Sequence, residues 1–97
     1  MYVWIIYDIS RNRTRNIISK LCKQIGLERV QKSAFLGKPK LYHLKEFRKI
    51  AKGILNPQTD VLFIIPATKR SLKATKSIGR SKTIKRILKK RKVVFME

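Results

Sequence analysis

Apolar residues are concentrated in five blocks along the chain, and their spacing predicts alternating strands and helices. Residues 2–9 (YVWIIYDI) are mostly aromatic or β-branched and form a block too short for a helix, which predicts a buried strand. Residues 29–36 and 60–67 predict two further extended segments. The pattern leaves open whether the segment 29–36 bends or splits into two strands near Lys32 and Ser33.

Between these segments the apolar residues recur at helical spacing. Residues 11–25 carry them on one face, with Ser10 as the predicted N-cap and Gly26 as the predicted end of the helix. Residues 41–54 predict a second amphipathic helix. The resulting order predicts a two-layer α+β sandwich, and it is the ferredoxin-like pattern, with an antiparallel sheet, if the middle segment is two strands. The helices cover one face of such a sheet, and the other face is a natural surface for a homodimer.

The end of the chain differs in composition from the rest. Residues 69–92 include twelve Lys or Arg, and no Asp or Glu occurs from residue 61 to residue 96. A basic helix with a narrow apolar stripe is predicted over residues 81–92, followed by a strand pattern, VVFM. We therefore divide the chain into a ferredoxin-like domain, residues 1–79, and a basic C-terminal extension with a terminal strand, residues 80–97.

The net charge of +20 points to a polyanionic partner, because clustered Lys and Arg displace condensed counterions from a phosphate backbone. A membrane surface is the other polyanion to consider, but no stretch is long enough to span a bilayer. The single cysteine, Cys22, excludes an internal disulfide and fits a reducing cytoplasm. We predict a cytoplasmic protein that binds nucleic acid.

Asp8 is a carboxylate at the end of the most apolar strand, where a sheet meets its loops. Carboxylates are ligands that magnesium or manganese prefer. Helix capping or a salt bridge to Arg13 or Arg15 is the alternative role, and it is the commoner one for a lone carboxylate. One Asp per chain is a poor metal site unless a twofold axis brings two copies together.

Three arginines, Arg11, Arg13 and Arg15, lie at the predicted start of the first helix. Cations are unfavourable there because the helix dipole is positive at its N-terminus. Phosphate contact is the simplest reason for such a cluster. A solvated basic face is the alternative.

The segments YDIS (7–10), RVQ-S-F-G (29–37) and DVLFIIP (60–66) resemble the CRISPR-associated Cas2 family. Members are small, dimeric, ferredoxin-like proteins of the spacer-acquisition machinery. The resemblance implies that Asp8 binds a divalent metal, magnesium or in its place manganese, together with its symmetry mate. Asp8 would then be the catalytic residue of a metal-dependent endonuclease.

The resemblance also assigns the surrounding residues. Arg15 and Arg29 match family arginines, and with Arg11, Arg13 and Lys32 they form the predicted nucleic-acid contacts. Ser33 and Phe35 match residues that line a dimer cleft, to which we add Tyr7 and Ser10. The last strand of the family crosses to the partner's sheet, which would be the role of Val93, Val94, Phe95 and Met96.

Our main hypothesis is a homodimeric subunit that binds double-stranded DNA between copies of the CRISPR integrase. One alternative is an active magnesium-dependent endonuclease that hydrolyses phosphodiester bonds in RNA or DNA. A basic RNA-binding module is the other. Arg11 and Lys32 stand where the family commonly has acidic or neutral residues, so they favour nucleic-acid binding over metal-dependent cleavage.

Overall fold

The computed structural model of the protein describes residues 1–79 and 83–96, with the side chains of residues 1–79 and 83–89. The elements, in chain order, are β1 (Tyr2–Asp8), α1 (Asn12–Gln24), β2 (Leu27–Gln31), β3 (Ala34–Gly37), α2 (Leu41–Ile54), β4 (Val61–Ala67), α3 (Lys69–Ala74) and α4 (Thr83–Met96).

The four strands form one sheet in the order β2-β3-β1-β4, and every neighbouring pair is antiparallel. The middle segment is therefore two strands, because Lys32 and Ser33 form a tight turn that pairs Gln31 with Ala34. With one helix after β1 and another after β3, the topology is ferredoxin-like. The predicted fold class is confirmed.

Alternation along the strands divides the side chains between two faces of the sheet. Val3, Ile5 and Tyr7 point to the first face, where Phe35 and Phe47 complete the core beneath α1 and α2. These side chains are almost fully buried, with Ile5 and Phe35 at 0% exposure. The first face therefore holds the main hydrophobic core.

The second face of the sheet is covered only in part. Tyr2 and Leu36 pack there against Leu72 of α3 and Ile87 of α4. The rest of this face exposes four apolar side chains, which we call the apolar strip: Ile6 (37% exposed), Val61 (42%), Phe63 (55%) and Ile65 (41%). Register places Ile6 opposite Phe63 on neighbouring strands, so the strip is continuous.

Helix α1 ends as its flanking residues suggest but begins differently. Gly26 follows the helix with φ 94°, a left-handed conformation that glycine adopts without strain, so the predicted end is confirmed. The predicted cap is wrong, because Arg11 occupies the N-cap position and no side chain caps the helix. The backbone N–H of Ser10 instead donates to Asp60 Oδ1 at 3.1 Å.

The C-terminal segment differs from its predicted structure. Helix α4 runs through Met96, so the strand predicted for 93–96 is wrong within this chain. A helix satisfies its backbone hydrogen bonds internally, whereas a strand needs a neighbouring strand to do so. Pairing with a partner's sheet stays a prediction, as does the division of the chain at residue 80. Residues 80–82 and 97 lie outside the described residues.

Candidate nucleic-acid interface

A cleft of about 410 Å³ opens between the start of α1 and the β2–β3 hairpin. Of the described residues that line it, three are cationic and none is acidic. We call it the basic cleft, and its lining residues are Tyr7, Asn12, Arg15, Asn16, Ser19, Arg29, Lys32 and Ser33. The arrangement offers cations and hydroxyl groups together, which is the chemistry that binds a phosphate group.

Arg29 is fixed in the basic cleft although its side chain is exposed. Its Nη2 donates to Ser19 Oγ, and its guanidinium carbon lies 5.1 Å from the centre of the Phe35 ring. Stacking on the aromatic ring and the hydrogen bond restrict the side chain without neutralising it. Arg29 therefore presents a preorganised positive charge to the cleft.

Arg15 is held more tightly and mainly supports the surrounding backbone. Its Nη1 donates to the carbonyl oxygens of Ile9 at 2.9 Å and Ser10 at 3.2 Å, and its Nη2 donates to Asn12 Oδ1 at 2.9 Å. These bonds join the end of β1 to the first turn of α1. Arg15 thus shapes the wall of the cleft and adds charge to it, with fewer free donors than Arg29.

Two buried groups beneath the cleft have raised pKa values. Burial raises the pKa of the Tyr7 phenol, against the smaller opposing effects of Arg29 and Arg15. Burial also raises the pKa of the Cys22 thiol to about 12. Both groups are therefore neutral near pH 7, so they do not reduce the positive charge of the cleft.

Asp8 lies on the other side of the sheet from the basic cleft. Its side chain follows Trp4 and Ile6 on the second face, is exposed, and stands opposite Val61 at the end of the apolar strip. Tyr7 points the opposite way, into the core. The predicted site residues are thus divided between the two faces.

The residues predicted to line a dimer cleft have different positions in the structure. Tyr7 and Ser33 line the basic cleft, whereas Ser10 lies exposed in the loop between β1 and α1. Phe35 is fully buried in the core beneath Arg29, so within one chain it lies under the cleft surface, and its place at a dimer cleft stays a prediction. Its ring supports the guanidinium group of Arg29.

The remaining arginines of the first cluster, Arg11 and Arg13, are exposed at the start of α1 and do not line the basic cleft. Lys32 is exposed at the turn between β2 and β3 and does line it. The structure therefore brings together Arg15, Arg29 and Lys32 out of the five predicted contacts.

A divalent metal would need more ligands than one copy supplies. Among the residues that the structure describes, no three His, Cys, Asp or Glu side chains lie close enough to hold a metal ion. Asp8 alone offers one carboxylate, so these residues fit magnesium only if a second chain contributes another. The metal site stays a prediction.

Sequence reasoning missed three polar residues that organise this region. Asp60 accepts hydrogen bonds from the backbone N–H of Asn56 and Ser10 and from the Thr59 hydroxyl, and the first of these contributes most to lowering its pKa. Ser19, a polar residue on the buried face of α1, could have indicated a specific partner. Asn12 and Asp60 gave no such signal, because their contacts form only in the folded chain.

No helix in the part of the chain that the structure describes is both long and apolar enough to cross a bilayer.

Comparisons with known proteins agree on one family. A sequence model described as CRISPR associated protein Cas2 matches residues 1–75. A CRISPR-associated endoribonuclease Cas2 from Korarchaeum cryptofilum is 31% identical over 80 residues, covering 82% of this chain and 86% of the relative. A Cas1/Cas2 endonuclease fusion from Thermoproteus tenax is 30% identical over 73 residues, which are 74% of this chain and 27% of the fusion.

Solved structures have the same fold. A hypothetical protein from Thermus thermophilus aligns with a TM-score of 0.70 and 28% identity, covering 82% of this chain and 92% of that one. Streptococcus pyogenes Cas2 aligns with a TM-score of 0.72 and 21% identity, covering 81% of this chain and all of that one. On the sequence matches above, the chain belongs to the CRISPR associated protein Cas2 family.

Proposed function

We propose that the chain is a homodimeric subunit of a CRISPR adaptation complex that binds double-stranded DNA through its phosphate backbone. The basic cleft carries this proposal. It combines Arg29, which stacks on an aromatic ring, with the exposed Lys32 and the hydrogen-bonded Arg15. None of the described residues that line it is a carboxylate. Contacts of this kind do not depend on base sequence, which suits a protein that handles foreign DNA of any sequence.

The apolar strip supports the homodimer. Four apolar side chains in one continuous patch are unfavourable in water, and a twofold interface would bury the patch twice. Asp8 lies at the end of this strip, so a twofold axis that passes near this end would bring two carboxylates to the same region. The name of the Thermoproteus relative, a Cas1/Cas2 fusion, supports Cas1 as the integrase partner.

The test compares Arg29→Gln with the wild-type protein on a duplex of about 30 base pairs. Because each phosphate contact contributes about 0.9 to the slope of log K against log salt, the slope should fall by about 1 in magnitude and affinity should drop. The control is Lys20→Gln, at an exposed position of α1 outside the cleft. It should change neither the salt slope nor the affinity. A wild-type affinity that does not respond to salt would contradict the proposal.

A second candidate function is metal-dependent endonuclease activity. One relative is named an endoribonuclease and another an endonuclease, which favours it, and the exposed Asp8 would supply the metal ligand. A magnesium ion held by two Asp8 carboxylates would activate water for attack on phosphorus.

Asp8→Asn should abolish magnesium-dependent cleavage of RNA and DNA oligonucleotides while duplex affinity stays equal or rises, since a negative charge is removed. Glu46→Gln is the matched control, because it removes an exposed carboxylate from α2, on the other side of the sheet from Asp8. Cleavage by highly purified Asp8→Asn protein at the wild-type rate would rule out Asp8 as the metal ligand of the reaction.

A further inference from the structure

Helices α3 and α4 dock side by side on the second face of the sheet. Leu72 of α3 and Ile87 of α4 are 2% and 7% exposed, and both pack against Tyr2 and Leu36. Their apolar sides are therefore fixed on the sheet, and their polar sides face outward. The two helices and the residues directly after α3 carry seven exposed cations, which we call the α3–α4 surface: Lys69, Arg70, Lys73, Lys76, Lys85, Arg86 and Lys89.

The charge of the α3–α4 surface is almost uncompensated. The chain has no acid from residue 61 to residue 96. Glu28 of β2 compensates part of it, with its Oε1 lying 3.9 Å from Arg86 Nε. Lys85 and Lys89 are four residues apart on α4, a spacing at which like charges destabilise a helix. An anionic partner would remove this repulsion.

Cations from both helices meet at one place on this surface. A cavity of about 180 Å³ between α3 and α4 is lined by Lys73 and Lys85, together with the hydroxyl-bearing Thr75 and Ser77. Its apolar floor is formed by Leu72, Ile84 and Leu88. Lysines from two separate helices thus line a space large enough for a phosphate group.

The packing of α4 distinguishes between the two common polyanions. An amphipathic helix that binds a membrane inserts its apolar face among the lipids. In this protein that face is already used, because Ile87 is buried against the sheet and Ile84 and Leu88 pack beside it. What remains exposed is a set of cations on two docked helices, which suits the repeated phosphates of a nucleic-acid backbone.

We propose that the α3–α4 surface is a second nucleic-acid-binding surface, centred on Lys73 and Lys85, that contacts the phosphate backbone. It lies on the opposite side of the sheet from the basic cleft, so the chain can engage nucleic acid from two directions. The family match ends at residue 75, which makes α4 a feature of this chain beyond the matched region. The inference rests on the proposed DNA-binding function and extends it.

The experiment uses the full-length protein and two triple variants of equal charge. Lys73→Gln/Lys85→Gln/Lys89→Gln neutralises the α3–α4 surface. Its matched control, Lys45→Gln/Lys49→Gln/Lys52→Gln, removes three exposed lysines from α2. Affinity for a fluorescent 30-base-pair duplex is measured by anisotropy between 50 and 200 mM NaCl, after circular dichroism has verified that each variant is folded.

Losing three phosphate contacts should lower the slope of log K against log salt by about 2.7 in magnitude. Over this fourfold range of salt concentration, the affinity of the wild-type protein should therefore fall about 40-fold more than the affinity of the surface variant. The control should keep the wild-type slope. The charge-preserving variant Lys73→Arg/Lys85→Arg/Lys89→Arg should also keep it.

Equal slopes for the surface variant and wild type would overturn this inference, and so would an equal loss in the α2 control. In either case Arg29→Gln still reports on the basic cleft, so the proposed function can survive this failure. A wild-type protein that does not bind the duplex would overturn both. The surface would instead bind membranes if the wild-type protein sedimented with phosphatidylserine vesicles and the surface variant did not, while both bound the duplex equally.

Discussion

The exposed Phe63 side chain gives the sharpest test of the predicted homodimer. It has the largest exposed fraction in the apolar strip, 55%, and it lies beside Ile6 on the open part of the second face. If two copies pair through this strip, Phe63→Ala removes apolar area from the interface twice, once in each copy. The substitution leaves the core on the first face unchanged, so the chain should still fold.

The magnitude follows from the exposed area. An aromatic side chain has roughly 200 Å² to bury, so the 55% of Phe63 that is exposed corresponds to about 110 Å². At about 25 cal/mol per Å², and allowing for the part that alanine retains, the loss is about 2 kcal/mol per copy and about 4 kcal/mol per dimer. The translational and rotational entropy of association is the same for both proteins and cancels. The dimer dissociation constant should therefore rise by about three orders of magnitude.

Sedimentation-velocity ultracentrifugation over a range of protein concentrations measures this dissociation constant. Leu41→Ala is the matched control, because Leu41 is 66% exposed but lies on α2, away from the second face. The control should dimerise as wild type does. A wild-type protein that stays monomeric at high concentration, or a Phe63→Ala dimer as stable as wild type, would refute pairing through the apolar strip.

Three further predictions concern the fold around the site. Gly37→Ala should lower the free energy of unfolding by about 1–3 kcal/mol, because a Cβ there would lie 2.8 Å from the Gly26 carbonyl oxygen; Gly53→Ala, with open space around it, should not. Thermal denaturation measures both, and equal melting temperatures for the two variants would contradict the steric argument. Asp60 has a lowered pKa, so its stabilising effect is present above the ordinary value of 3.8 and is lost as the pH falls through the lowered pKa. Asp60→Asn should therefore melt below wild type at pH 7 and approach it in acid, and a constant difference would refute the role of the charge. Cys22, whose pKa is raised to about 12 by burial, should react with Ellman's reagent at pH 8 only after denaturant is added; rapid reaction of the native protein would show that the thiol is accessible.

Local patterns were sufficient for β1, β4, α1 and α2, but not for the division of residues 29–36 into two strands or for α3. The apolar run 2–9, the helical spacing after it and the left-handed Gly26 are properties of neighbouring residues, so they can be read without knowing the fold. The terminal segment shows the limit of this reasoning. VVFM has a strand pattern, but backbone hydrogen bonding depends on what lies beside it, and within this chain α4 extends through it.

The candidate site depended on the tertiary structure to a greater degree. The sequence determined that the chain carries a large positive charge, an Asp at the end of its first strand and arginines at positions 15 and 29. Alternation along a strand already places the adjacent Tyr7 and Asp8 on opposite faces, but only the folded sheet decided which of the two faces α1 and α2 cover. It also brought Arg29 onto Phe35 and beside Ser19, ten residues earlier in the chain. Charge and composition are sums over residues, so they do not depend on the fold. A binding cleft depends on which side of a strand each residue faces and on which distant segments of the chain meet there.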